Sequence, residues 1–271
     1  MKEKDVMIKR IFTAVMMLTA SLTIFAQTQY DRDLEGRTTD IRRWNLNIRG
    51  GYSIGGTLPM GFPAEMRSLN SYAPKINYRF GVDVERRFNE DFGLQGGIYF
   101  ERRGFKGDIG IRQYGVILQQ GGEEIHGPYT GNVVVNIIQT GFTVPIQATW
   151  WPSSSVKLKF GPYVSLITDR SFYGYAYNGY LRRGEVRGDL VNVGNDGNTR
   201  GYFSGELFDK GMRKFQWGLN LGCDYYFAQH WGVFGDLSYS LNSAFKSDFE
   251  TVTMGLYPLY LTVGVTYKFG R

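Results

Sequence analysis

Cysteine occurs once in this chain, at position 223, and histidine twice, at 126 and 230, in 271 residues. A lone cysteine excludes an internal disulfide, so the fold must be held by burial or by a bilayer. Long hydrophobic runs are scarce too. Past residue 26 no segment approaches the roughly twenty apolar residues that a spanning helix needs, and the mean hydropathy of −0.28 is too polar for a bundle of such helices. Charge of one sign is not concentrated: 31 basic and 25 acidic residues leave a net +6, a mild excess that does not call for nucleic acid as a partner. What the chain does have is aromatic residues, at 16%, and 36 glycines, a mixture that suits an all-β protein.

The N-terminus combines Lys2, Lys4, Lys9 and Arg10 with an apolar run from Ile11 to Phe25 and then Ala26. This is the pattern of a secretory signal peptide over 1–26, and about fifteen apolar residues are too few for the rival reading, an uncleaved membrane anchor. Residues 27–43, rich in Asp and Arg, are expected to be a flexible periplasmic leader. Residues 44–271 are expected to form a single domain, with no globular domain before or after it.

Within 44–271, segments near 44–54, 76–87, 92–103, 136–150, 156–168, 215–227, 231–242 and 259–269 alternate apolar with polar or small side chains. A period of two means strands with two unlike faces. One face carries Leu46 and Ile48, Tyr78, Phe80 and Val82, Leu94 and Ile98, Phe142 and Val144, Leu158 and Phe160, Leu219 and Leu221, Val233 and Leu237, and finally Leu261, Val263 and Val265. The other carries Arg49, Arg79, Asp83, Glu85, Glu101, Arg103, Lys157, Lys159, Asp224 and Asp236, with Lys268 near the end. Each segment is about the nine to eleven residues that cross a bilayer as a tilted strand. Short connections at 89–91, 152–155 and 228–230 alternate with long ones at 55–75, 104–135, 169–214 and 243–258, as periplasmic turns alternate with extracellular loops.

Lipid cannot hydrogen-bond exposed backbone, so strands span it only as a closed barrel. The expectation is a closed antiparallel up-and-down transmembrane β-barrel of about eight strands. Because Tyr114–Leu118 and Phe172–Tyr180 look β-like within the long loops, hairpins that project beyond the membrane, and a count of ten, stay open. The apolar face would meet outer-membrane lipid. Trp44, Phe88, Phe92, Trp150, Trp151, Tyr226, Phe227, Trp231, Tyr267 and Phe269 would form an aromatic girdle at the periplasmic end. The charged face would fill a narrow lumen with paired ions and leave no solute pore. The competing reading is a soluble barrel or sandwich with its apolar face inward.

Little here suggests chemistry. On this topology His126 and His230 lie on opposite sides of the membrane and cannot share a metal or a triad. His126 follows Glu123-Glu124, the sole hint of an outer-leaflet lipid-modifying enzyme. Asn195-Asp196-Gly197-Asn198 has turn chemistry without a Ca²⁺ loop's closing Glu. Cys223 falls on the apolar face with no activating partner in the pattern. No catalytic residue, metal ligand or cofactor site is expected.

Four stretches carry a family likeness: Gly141-Phe142-Thr143-Val144-Pro145-Ile146 with Trp150-Trp151, Lys159-Phe160-Gly161-Pro162-Tyr163-Val164, Gly218-Leu219-Asn220-Leu221-Gly222, and Leu261 through Phe269. Together they resemble the PorT-like outer-membrane β-barrel family of Bacteroidetes. That resemblance implies the fold and an outer-membrane location. It also implies a closing strand whose Tyr267 and Phe269 face the outer-membrane insertion machinery, and, from the family's founding member, an accessory role in type IX secretion. It supplies no catalytic residues. Three roles therefore stand: a non-enzymatic barrel whose loops bind a surface or assembly partner, a secretion accessory, and a lipid-modifying enzyme.

Overall fold

The computed structural model describes residues 44–59, 65–184, 186–194, 200–204, 206–246 and 255–269. The expected signal peptide, the leader, the Asn195–Asn198 turn and segments 60–64 and 247–254 of two expected loops lie outside the described residues. The strands are β1 (Trp44–Pro59), β2 (Met66–Pro74), β3 (Tyr78–Arg87), β4 (Phe92–Gln120), β5 (Glu123–Ser153), β6 (Val156–Arg182), β7 (Leu190–Val193), β8 (Gly201–Phe203), β9 (Phe215–Tyr226), β10 (Trp231–Ser240) and β11 (Leu256–Phe269). One short helix, α1 (Glu206–Gly211), precedes β9.

Strands β1, β3, β4, β5, β6, β9, β10 and β11 pair in that order, and β11 returns to β1 from Leu46↔Phe269 to Pro59↔Leu256. The result is a closed antiparallel up-and-down barrel of eight strands. The ten-strand count falls, because β2, β7 and β8 pair with β4 and β6 beyond the ring's paired span and do not enter the ring. The alternation read from the sequence is what closes it: along β9 every second residue is buried, with Gln216, Asn220 and Asp224 inward and Trp217, Leu219, Leu221 and Cys223 outward. Short turns join the strands at the end where β1 begins. In one of them the Asn89 side-chain oxygen accepts from the backbone N–H of Asp91 (3.0 Å) and of Phe92 (2.6 Å), a local turn that asparagine is well suited to make.

At the other end the expectation of long loops needs correction. Residues 104–120, 123–135 and 169–182 are strand: β4, β5 and β6 run 29, 31 and 27 residues, about three times a bilayer crossing. Strands β4 and β5 meet at a two-residue turn, Gly121-Gly122, with φ of 61° and 89°. Two successive positive φ values define the type I′ hairpin that matches strand twist, and glycine reaches them without strain. Further along, β8 pairs with both β4 and β6, so β4, β5, β6 and β8 close a second, smaller ring.

This extension has an apolar interior. Phe105, Ile111, Tyr114, Leu118, Ile125, Tyr129, Val133, Ile137, Phe172, Ala176, Leu181, Val193 and Phe203 form one buried cluster, joined by Met212, Ala244 and Phe245. Phe172 sits edge-on to Phe245, with ring centroids 5.0 Å apart. Bulges re-aim the strands so that this face stays inward: Gln113, at φ 54°, lies in the register shift between Ile111 and Tyr114, and Asn178, at φ 49°, lies in the shift opposite Thr130–Asn132.

Candidate functional site

All eight ring strands send polar side chains inward, and in the lower part of the ring these meet as an ion network. Arg49 of β1 is at its centre. Its guanidinium is 3.1 Å from Asp83 of β3 and 3.2 Å from Asp236 of β10, and it also pairs with Asp224 of β9. Lys159 of β6 bridges the last two carboxylates at 2.7 Å each. Lys157 reaches Asp224 at 3.1 Å and Glu85 at 3.6 Å and donates to the Gln95 side-chain oxygen at 2.8 Å. Above this layer Arg79 lies 3.6 Å from Glu101 and 3.8 Å from Asp236, and Arg103 also pairs with Glu101.

Of the charged face read from the sequence, five cations and five anions, all but Lys268, are thus brought together, each with side chains almost wholly shielded from solvent. Bringing such groups out of water costs several kcal/mol per ion unless each finds opposite charge and hydrogen bonds. Neutral neighbours supply the rest. Tyr99 donates to Asp83 at 2.6 Å and Asn47 to the same carboxylate at 2.7 Å. Phe234 lies under the Arg49 guanidinium at 4.5 Å and Tyr99 under that of Arg79 at 4.1 Å, both within the range of a cation–π contact. Gly222 makes room for the Lys159–Asp236 pair: a Cβ there would run into the Asp236 carboxylate and lie 2.7 Å from Lys159 Cε.

Two residues sit differently from expectation. Trp151 and Tyr226 do not belong to the outer girdle. They point inward, stacked at 5.6 Å, and the Trp151 indole N–H donates to Glu85 at 2.8 Å, closing the network from below. The signal was in their parity: Trp151 shares a face with Gln147 and Thr149, and Tyr226 with Asp224. Aromatic character alone does not tell a girdle residue from an inward one; register does. Phe234, between Asp236 and Gly232 on the inward face, was missed for the same reason. Phe88, Phe92, Trp150, Phe227, Trp231 and Phe269 do face outward and are exposed.

The eighteen residues assigned to the apolar face, from Leu46 to Val265, all point out of the ring and none is buried. Lys268 is half-buried, its ammonium 5.3 Å from the Tyr226 ring. His230 holds the last turn, with Nδ1 3.0 Å from the Lys268 carbonyl and its ring stacked on Tyr267 at 5.6 Å. His126 stands on β5 directly opposite Ile117, near the Gly-Gly hairpin tip. At about 3.3 Å per residue and a tilt near 40°, that is roughly 40 Å above Phe142 at the top of the apolar face, remote from any lipid ester. Among the described residues no group of three or more His, Cys, Asp or Glu is placed to hold a metal ion.

A ring with an apolar exterior, a charge-filled interior and every strand edge paired defines a transmembrane β-barrel protein. In keeping with this, residues 25–246 match the model of the outer membrane protein beta-barrel domain. The chain belongs to that family and is an integral outer-membrane protein. Solved structures similar to it include Ail, the attachment invasion locus protein of Yersinia pestis, at 14% identity, covering 83% of this chain and 97% of that one with a TM-score of 0.35. The outer membrane protein OprG from Pseudomonas aeruginosa aligns at 14% identity over 84% and 96%, TM-score 0.33. Neisserial surface protein A aligns at 9% identity over 83% and 97%, TM-score 0.31. No curated protein sequence matched.

Proposed function

We propose that this protein is a non-enzymatic outer-membrane barrel with a plugged lumen, exported by its N-terminal signal peptide and acting through its outer surfaces in binding or assembly. The observation that carries this reading is the filled interior. The void lined by Glu101, Arg103, Gln139, Thr143 and Ser165 holds about 10 Å³, room for about one water and for no larger solute. Directly above it the apolar cluster of the extension continues the plug. A solute has no way through, so whatever the protein does is done on its outside. Leu46, Phe80, Leu221 and the other outward apolar residues then contact outer-membrane lipid, and the closing strand with Tyr267 and Phe269 is offered to the insertion machinery.

A planar-bilayer recording on the full chain, paired with a pull-down from detergent-solubilised outer membrane, tests this. The expected result is no sustained conductance together with a partner that co-purifies. Large steady conductance overturns the plug. The secretion-accessory reading is supported by the sequence likeness to PorT-like proteins in the stretches beginning at Gly141, Lys159, Gly218 and Leu261; under it the captured partner is a component of a secretion assembly.

A further inference from the structure

Above the membrane the outward face of the extension should need only polarity, yet on β6 it carries a row of tyrosines. Phe172, Gly174 and Ala176 point inward, so Tyr173, Tyr175 and Tyr177 point outward. Tyr175 packs on Tyr177 with centroids 5.9 Å apart and on Tyr202 of β8 at 6.1 Å. The Arg200 guanidinium lies 4.4 Å from the Tyr175 ring. Val134, which the register places beside Tyr175, is 3% exposed although its neighbours Val133 and Val135 are the ones that join the inner cluster. Tyr175, tilted by 53° to Tyr177 and by 54° to Tyr202, packs between them beside Val134, and the flanking rings stay open to solvent: Tyr202 is 52% exposed and Tyr173 37%.

Beside the rings runs a chain of fixed polar groups across four strands. Ser68 donates to Asn70 at 2.8 Å, and Asn70 donates to Asp108 at 3.3 Å and to Asn132 at 3.2 Å. Tyr177, paired with Asn132 in register, donates to Asp108 at 2.6 Å. Exposed aromatic rings next to preorganised amide and carboxylate groups match a saccharide. One face of a sugar ring presents polarised C–H groups that suit an aromatic π-face, while its rim presents hydroxyls that donate to carboxylates and exchange hydrogen bonds with amides.

Height and direction choose the source. The outward apolar face of β6 ends at Leu166. At about 3.3 Å per residue and a tilt near 40°, Tyr173 stands roughly 18 Å higher, beyond a polar headgroup layer about 5–8 Å thick. The platform faces sideways, along the leaflet, not up into the medium. We infer that the tyrosine platform of β6 and β8, with the Ser68–Asn70–Asp108–Asn132 run, binds the saccharide chain of lipopolysaccharide standing beside the barrel in the outer leaflet. This deepens the surface-binding reading above and rests on it.

The test uses the full chain in nanodiscs, with two probes measured by calorimetry: the oligosaccharide released from lipopolysaccharide by mild acid, and the sugar-poor lipid A left behind. Wild type is expected to bind the oligosaccharide. Tyr173→Ala/Tyr202→Ala should weaken that binding about tenfold, while Tyr173→Phe/Tyr202→Phe, which keeps the ring faces, stays within about twofold. Lipid A binding should be the same for all three proteins. Heat-modifiable gel migration, equal for each, shows that the barrel is folded. No binding of the oligosaccharide, or equal binding by the alanine variant, overturns the inference. If the same alanine variant instead loses a co-purifying protein, the platform is a protein contact: the saccharide falls and the surface-binding reading stands. If neither ligand is found, both fall.

Discussion

The two halves of this molecule are built from the same strands and obey opposite rules. On β4, the inward positions Gln95, Glu101 and Arg103 are polar and the outward Phe92 and Leu94 are greasy; a few residues on, the inward positions Phe105, Ile111 and Leu118 are apolar and the outward Lys106, Asp108 and Arg112 are charged. The change of solvent explains it. In the bilayer, apolar side chains gain nothing by hiding from lipid, so the outside is where they go and the narrow interior collects ions that neutralise one another. Above the bilayer the surroundings are water, and burial of apolar surface again drives folding at about 25 cal/mol per Å². One strand thus reads two solvents along its length, and Arg103–Phe105 marks the boundary.

The sharpest way to break this comparison is to remove the centre of the lower interior. Arg49→Leu leaves Asp83, Asp224 and Asp236 to share the charge of Lys159, Lys157 and Arg79, and a stranded buried charge costs about 3–5 kcal/mol. Urea titration of the protein in vesicles should show the midpoint fall for the barrel as a whole. The matching change above is Leu181→Ala, in the apolar cluster, with a cost of about 2–5 kcal/mol. Its signature is different in place: protease should cut β4–β6 beyond the membrane while heat-modifiable migration of the ring persists. If Leu181→Ala unfolds the ring as readily as Arg49→Leu does, the halves are one cooperative unit and the contrast is only compositional.

The same contrast explains what could be read from the sequence. Ring strands were legible because period-two alternation with a greasy outer face is a signal along one strand at a time; Phe215–Tyr226 shows it without a break. The ion network was legible from parity alone, as the convergence of Arg49, Asp83, Asp224 and Asp236 needed only that they share the inward face. The extension was hidden by its own chemistry. Its alternation runs the other way round, and the bulges near Gln113 and Asn178 shift the parity in mid-strand, so a template fitted to the membrane part loses the strand and reports a loop. Gly121-Gly122 between two β-like runs was the missed cue, because a two-residue glycine turn marks a hairpin and not a long loop.

A smaller effect tests the outside of each half. Leu221, between Phe160 and Leu237 in the ladder, and Leu69 on β2 are both exposed. Leu221→Lys should cost about 2–4 kcal/mol if it lies at mid-bilayer, whereas Leu69→Lys in water should stay within about 0.5 kcal/mol. Equal costs at both sites, measured by the same urea titration, would mean that the membrane does not stop where the interior chemistry changes.

The smallest effect concerns a single proton on the extension. The hydrogen bond that the Tyr177 hydroxyl donates to Asp108 holds its proton in place, and burial and the carboxylate's charge add to this, pushing the pKa from 10.0 up to about 12. A phenol ionises on losing its proton, so a folded-state value above the unfolded one favours the fold fully below pH 10, and that contribution is lost as pH rises from about 10 to about 12. The ultraviolet tyrosinate titration of wild type minus that of Tyr177→Phe should isolate a group ionising near 12, and Asp108→Asn should move that step back toward 10. The ring beneath should be indifferent to both changes, since no part of its ion network touches either residue. A shift of the barrel's own urea midpoint in Asp108→Asn would show that the outward polar run above the membrane and the ions within it are coupled after all.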